Sequence, residues 1–181
     1  MKLETGKNAS LISFNGISPK IHPSAFLCEG VRIIGDVEIG EDSSIWYNCV
    51  VRGDVHYVKI GNRTNVQDLS MLHVTNDTFP LVIGNEVTIA HCVALHGATL
   101  HDNCMVGIGA KVLDGAVINS FSLVAAGSLV REGFTVPSGT MVAGVPAKVV
   151  RDLTDEEIKK FSSIAGYYVG YVNEYKKMLI L

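Results

Sequence analysis

Three histidines, His73, His91 and His96, are the side chains of this 181-residue chain best suited to chemistry. Neutral imidazoles bind zinc and related divalent ions, and three of them leave the fourth tetrahedral position to water. A structural site would instead close the tetrahedron with a fourth protein ligand, usually including cysteine. The open kind lowers the pKa of its water from about 15.7 to roughly 7 and so yields hydroxide at neutral pH. The three residues are scattered along the chain, so only tertiary structure can bring them to one ion. The remaining histidines promise less: His22 precedes Pro23 and reads as a turn residue, and His101 opens a polar corner with Asp102 and Asn103.

The elements that must position these groups are written in a ladder of aliphatic residues. From Leu100 to Val142 one falls at every sixth place, at Leu100, Val106, Val112, Ile118, Val124, Val130, Val136 and Val142. Six is neither the helical nor the strand period, so the mark records a repeating supersecondary unit. Ile21, Leu27, Ile33, Ile39, Ile45 and Val51 form an earlier run, Ile60, Val66 and Leu72 a second, and Ile83, Ile89 and Leu95 a third. The steps from Val51 to Ile60 and from Leu72 to Ile83 are longer than six and read as loops at corners. Small residues recur four places after the aliphatics, as at Ser43, Cys49, Thr64, Ser70, Ala110, Ala116, Ser122, Ser128 and Thr140, which suits a narrow interior. The pattern predicts a parallel β-helix whose coils stack about 4.8 Å apart. Ile39-Gly40, Ile60-Gly61 and Ile83-Gly84, each followed by small residues, resemble the hexapeptide repeats of the left-handed β-helix superfamily. That resemblance implies three walls per coil, wound against the usual right-handed crossover.

With three units per coil, Val51, Leu72 and Leu95 occupy one wall on successive coils. Their successors Arg52, His73 and His96 then point outward by strand alternation, and His73 stands beside His96. The same count stacks Ile89 on Val66, which pairs His91 with Asp68 near a corner belonging to the neighbouring wall. One coil cannot aim His91 at the ion held by the other two histidines, whereas the edge of a second subunit in a threefold trimer can. Two ligands from one chain and one from the next is the expectation.

Arg52-Gly53-Asp54, Asn65-Val66-Gln67-Asp68, Leu72-His73-Val74 and the run Ile89-Ala90-His91-Cys92-Val93-Ala94-Leu95-His96-Gly97 are similar, in order and spacing, to the γ-class carbonic anhydrase family. The likeness covers roughly residues 18 to 178. It implies Zn2+ (or Fe2+ or Co2+) on His73, His91 and His96 at the boundaries of a homotrimer, and hydration of CO2 to bicarbonate by a metal-bound hydroxide. By the same resemblance Gln67 hydrogen-bonds the water or bicarbonate, and Asn65 supports the pocket. Arg52, Asp54 and Asp68 build the subunit boundary and orient the site, and a helix tyrosine, Tyr168 or Tyr167, reaches it. Val55 stands where the best-characterised active members carry a glutamate, and the loop from Val74 to Pro80 holds a single acid, Asp77. Turnover is therefore expected to be low, with His56 and Asp77 as substitutes for moving the proton.

The rest of the chain fits one domain, a β-helix over about residues 18–150 followed by a helix over about 154–179 packed alongside. Thr154-Asp155-Glu156-Glu157 is a capping box, and Ile158, Phe161, Ala165, Tyr168, Val172, Tyr175 and Leu179 share one apolar face. This face should lie on a β-helix wall, its own or a neighbour's. No apolar run approaches the roughly 20 residues of a membrane span, and Met1 to Ser10 lack a signal-peptide core, so a cytoplasmic location is expected. Cys28, Cys49, Cys92 and Cys104 show no paired spacing and read as reduced thiols, with Cys92 adjoining His91. A net charge of −3 without a basic run argues against nucleic acid. Two other classes remain: an acyltransferase using acyl-CoA with a histidine general base, and a non-catalytic metal-binding trimer.

Overall fold

Alternation of a large aliphatic with a small residue, repeated every six positions, closes the chain into a triangular tube. A computed structural model describes residues 4–5 and 9–179, with side chains for residues 9–178. Most of the polar start and the Leu179 side chain thus lie outside the described residues. The architecture is a left-handed parallel β-helix of about seven turns with one C-terminal helix. On one wall Leu27, Ile45, Val66, Ile89, Val106, Val124 and Val142 stack in register. On a second, Val51, Leu72, Leu95, Val112 and Val130 do so. On the third, Ile39, Ile60, Ile83, Leu100, Ile118 and Val136 do. All these aliphatics are buried, and so are the small residues Ser43, Cys49, Thr64, Ser70, Ala110, Ala116, Ser122, Ser128 and Thr140.

The corners explain the shortness of the strands. At the corner leading into the second wall, Asn48, Leu69, Cys92, Gly109 and Gly127 on successive coils all take positive φ, between 58° and 69°. Gly97, Gly115 and Gly133 do the same where that wall ends. Left-handed backbone costs a non-glycine residue roughly 1–2 kcal/mol. Leu69 and Cys92 accept it because their neighbours above and below hold the turn by hydrogen bonds: Leu69 N–H donates to Tyr47 O (3.0 Å) and Cys92 N–H to Asp68 O (2.9 Å).

The step from Val51 to Ile60 turns the corner from the second wall to the third, but as continuous strand and not as a loop. It lies inside one strand, Val50–Ile60, whose partner Arg32–Ile39 pairs Gly35 with Gly53 and then Val37 with Val58. Both flanks are held by ladder hydrogen bonds, so the surplus residues bulge outward between them. The step from Leu72 to Ile83 is a loop, closed by a bridge between Thr75 and Phe79.

The helix, Asp155–Leu179, begins with the expected reciprocal cap: Thr154 N–H donates to Glu157 Oε2 (2.9 Å) and Glu157 N–H to Thr154 Oγ1 (3.2 Å). It packs on its own chain's first wall. Phe161, Ala165 and Val172 are buried, while Tyr168 and Tyr175 set their rings edge-on to Trp46 at 5.2 and 5.1 Å. Cys28, Cys49 and Cys104 are buried and free, and desolvation pushes each thiol up to about 12.

Candidate metal centre

His73 and His96 are the third residues of the short strands Met71–His73 and Ala94–His96, which pair directly, His96 against His73. Their inward neighbours Leu72 and Leu95 are fully buried and fix the alternation that turns both imidazoles outward. The rings lie 5.0 Å apart. Nε2 of His73 is 3.1 Å from Asp54 Oδ1, and Nδ1 of His96 is 2.6 Å from Asp114 Oδ1. A carboxylate only accepts, so each of these ring nitrogens carries the proton and the other carries a lone pair. Those two lone-pair nitrogens, His73 Nδ1 and His96 Nε2, face each other at 3.1 Å. Facing lone pairs repel unless a cation lies between them. Zn–N bonds of about 2.0–2.1 Å at a tetrahedral angle would put two ligand nitrogens roughly 3.4 Å apart, close to the separation here.

Charge is arranged to match. Arg52 is ion-paired with Asp54 and brings Nη2 to 3.4 Å from His73 Nδ1. Burial, aided by the Arg52 charge and opposed by the bond to Asp54, holds the His73 pKa below its ordinary value, so the ring stays neutral at physiological pH. Burial pushes against ionisation of both carboxylates. Bonds from Arg52 and His73 at Asp54, and from Thr75 and His96 at Asp114, overcome it and keep both below the usual range.

Asp114 was not among the residues singled out from sequence. Its Oδ2 accepts from Thr75 Oγ1 at 2.6 Å, so it joins the loop to His96. The stacking count could have found it: Val112 pairs with Leu95, which puts Asp114, two places on, beside Gly97, two places past Leu95.

The remaining expected residues form a second group. His91 Nδ1 lies 2.7 Å from Asp68 Oδ2, as the stacking of Ile89 on Val66 requires, and its Nε2 is left for a ligand. Gln67 and Asn65 are buried on the same wall: Gln67 Nε2 donates to Asn65 Oδ1 (3.1 Å), and Asn65 Nδ2 to Thr88 Oγ1 (2.9 Å). Tyr168 shares with Asp68, Trp46, Tyr47, Tyr171 and Tyr175 a cavity of about 380 Å³, and burial pushes its hydroxyl up to about 12. Tyr167 is 60 % exposed, because it precedes Tyr168 on the helix and so faces away from the wall. Cys92 is exposed at its corner. His56 and Asp77 line, with Asp36 and Asp54, a separate cleft of about 460 Å³. His56 Nδ1 accepts there from Tyr57 N–H (2.9 Å).

Arg52, Asp54, His73 and His96 therefore gather on the second wall, while Asn65, Gln67, Asp68, His91 and Tyr168 gather on the first wall and its corner. Among the described residues no three histidine, cysteine, aspartate or glutamate side chains converge as a complete metal cage. The donor set nevertheless suits a divalent cation. Two carboxylate-backed imidazoles converge, and a third, His91, stands against Asp68 at the corner of the first wall.

Known proteins resemble this chain in sequence and in fold. The profile of the bacterial transferase hexapeptide (six repeats) family matches residues 18–53. A carbonic anhydrase of Geobacillus kaustophilus is 48% identical over 165 residues, covering 91% of this chain and 90% of its own. The mitochondrial gamma carbonic anhydrase 2 of Arabidopsis thaliana is 42% identical over 169 residues, 91% of this chain. This chain spans 61% of that plant protein's length. Among solved structures, a hexapeptide transferase family protein from Anaplasma phagocytophilum superposes with a TM-score of 0.88 at 43% identity, covering 91% of this chain and 97% of its own. Identity at this level over nearly the whole repeat domain, together with the three histidines in their carboxylate settings, places the chain in the γ-class carbonic anhydrase family.

Proposed function

We propose that this protein reversibly hydrates CO2 to bicarbonate at metal sites shared between the subunits of a homotrimer. His73 and His96 of one subunit and His91 of the partner subunit would hold Zn2+, with Fe2+ or Co2+ as alternatives. The observation behind this reading is the pair of lone-pair nitrogens 3.1 Å apart, each backed by a carboxylate on its far side. It favours a cation over the acyl acceptor of a transferase. A bound divalent metal would supply a Lewis acid that brings the pKa of water near 7.

The chain's own groups do the rest. Asp54 and Asp114 orient the two rings, and Arg52 offsets the charge of Asp54. Gln67, anchored through Asn65 to Thr88, presents an amide to the oxygens of bicarbonate, and Tyr168 lines a cavity with the neighbouring Asp68. Addition of water to CO2 releases one proton. With Val55 where a glutamate would be expected, that proton leaves by the cleft of Asp54, His56 and Asp77, and turnover is low. The test is metal analysis of protein purified with and without oxygen, with CO2 hydration followed on the same samples. About one ion per protomer with matching hydration activity is expected. Failure to retain zinc, cobalt or iron(II) after reconstitution would overturn the proposal.

A further inference from the structure

Each of the paired histidines has its own carboxylate, but the two carboxylates are held differently. Asp54 sits on the neighbouring coil and is neutralised by Arg52. Among the described residues, Asp114 has no arginine against it. Its partner besides His96 is the neutral hydroxyl of Thr75, whose Oγ1 is 2.6 Å from Asp114 Oδ2 and 3.5 Å from His96 Nδ1. Thr75 belongs to the loop that follows His73, and the loop is fastened at its other end. Thr75 N–H donates to Phe79 O (3.1 Å), and the Phe79 side chain lies over the glycine corner. A Cβ on Gly97 would fall 2.7 Å from Phe79 Cβ and 2.3 Å from Asp114 Oδ1, and one on Gly115 would fall 3.0 Å from Phe79 Cε1. Both glycines have positive φ, so the corner has two reasons to be bare. The missing side chains leave the space in which Phe79 seats and Asp114 reaches His96.

We infer that Asp114 and Thr75 are a positioning pair for His96, locked by the Phe79 loop, and that they set how tightly this half of the site holds a divalent metal. The inference rests on His96 being a metal ligand. Asp114 accepts the Nδ1 proton and thereby fixes the tautomer that turns the Nε2 lone pair toward His73. Thr75 donates to the second carboxylate oxygen and stops the group from rotating away. With no arginine offsetting Asp114 among the described residues, its negative charge stands behind the imidazole and adds to the attraction for a cation. Removing such outer partners typically lowers metal affinity by about 10–100-fold.

The experiment uses the full chain and two measurements. Ring 15N shifts of His96 in metal-free protein near pH 8, where imidazole is neutral, report the tautomer, and competition with a chelator reports Co2+ affinity. The wild type should show Nδ1–H at His96. Asp114→Leu should populate Nε2–H and lower affinity by about 10–100-fold, and Thr75→Val should lower it by about tenfold. Thr75→Ser, which keeps the hydroxyl, should restore it. Thr75 lies in a surface loop, so its variants keep the test open if Asp114→Leu does not fold. An Nε2–H tautomer in the wild type overturns the inference even if metal binds. The Nδ1–H tautomer in a protein that binds no metal would overturn the ligand reading and leave the ring positioning intact. Lower thermal stability with unchanged tautomer and affinity would show a merely structural contact, and also overturn the inference.

Discussion

The Arg52–Asp54–His73 group shows how a small site balances charge. Neutralising the carboxylate does more than lose a hydrogen bond, because Arg52 would then stand unopposed 3.4 Å from the nitrogen meant for a cation. Asp54→Asn is therefore expected to lower Co2+ or Zn2+ affinity by about 10–100-fold, with part of the loss recovered in the Arg52→Gln, Asp54→Asn double variant. Equilibrium competition against a chelator measures both, and an unchanged affinity in the single variant would show that Arg52 swings clear. The pairing of His73 with His96 and of His91 with Asp68 was legible in the sequence, because strand register is discrete and the inward aliphatics count it. Asp114 has no histidine near it in the sequence to mark it, although the register of Val112 on Leu95 sets it beside Gly97, next to His96. The two adjacent tyrosines could not be ranked without the phase of the helix on its wall, which buries one side and exposes Tyr167.

The helix and the coils answer different physical demands. The helix depends on its first turn, where Glu157 accepts from Thr154 N–H and is paired with both Arg151 guanidinium nitrogens at 2.7 and 2.8 Å. The bond to Arg151, then that to Thr154, draws the Glu157 pKa from 4.5 to about 2. A carboxylate depressed on folding stabilises above its ordinary pKa and loses that contribution as pH falls through the folded value. Acidification from 4.5 to about 2 should then loosen the helix start in the wild type and less so in Glu157→Gln. Trp46, the single tryptophan, lies beneath the helix against Tyr168 and Tyr175, so its fluorescence reads the undocking. Within the coils the demand is packing: Leu72→Ala should cost about 2–5 kcal/mol in chemical denaturation and disorder His73 beside it. Capping box, apolar helix face and interior ladder were all readable, since each is a local pattern with a fixed period. The bulge after Gly53 was not. Surplus length is visible in sequence, but whether it leaves the corner as a loop or as a bulge in continuous strand depends on the Arg32–Ile39 strand next to it.

At the scale of the molecule, the two groups of site residues lie on different walls, and the proposed shared site would draw on a second copy. A complementation experiment follows from this division. His73→Ala and His91→Ala proteins each lack one of the three ligands at every proposed site, yet equal mixing with free exchange of subunits should regenerate about a quarter of the sites, since each intact boundary needs one subunit of each kind in the right order. Metal content and CO2 hydration of the reassembled mixture measure it. No recovery in mixtures proven to exchange would place all three histidines' work within one chain.

The eighteen-residue pairing of Leu100 with Ile118 and of Ile118 with Val136 makes the solenoid a device of phase. Every group outside the tube has an angular address set by how many units precede it. Losing six residues between His73 and His96 would carry His96 a third of a turn to another wall, while losing a whole coil after Asp114 would shorten the tube and leave the address of the site unchanged. Evolution can thus lengthen or trim this protein cheaply in whole turns, whereas a single unit gained or lost between the histidines dismantles the site and carries the C-terminal helix off the wall that holds Trp46.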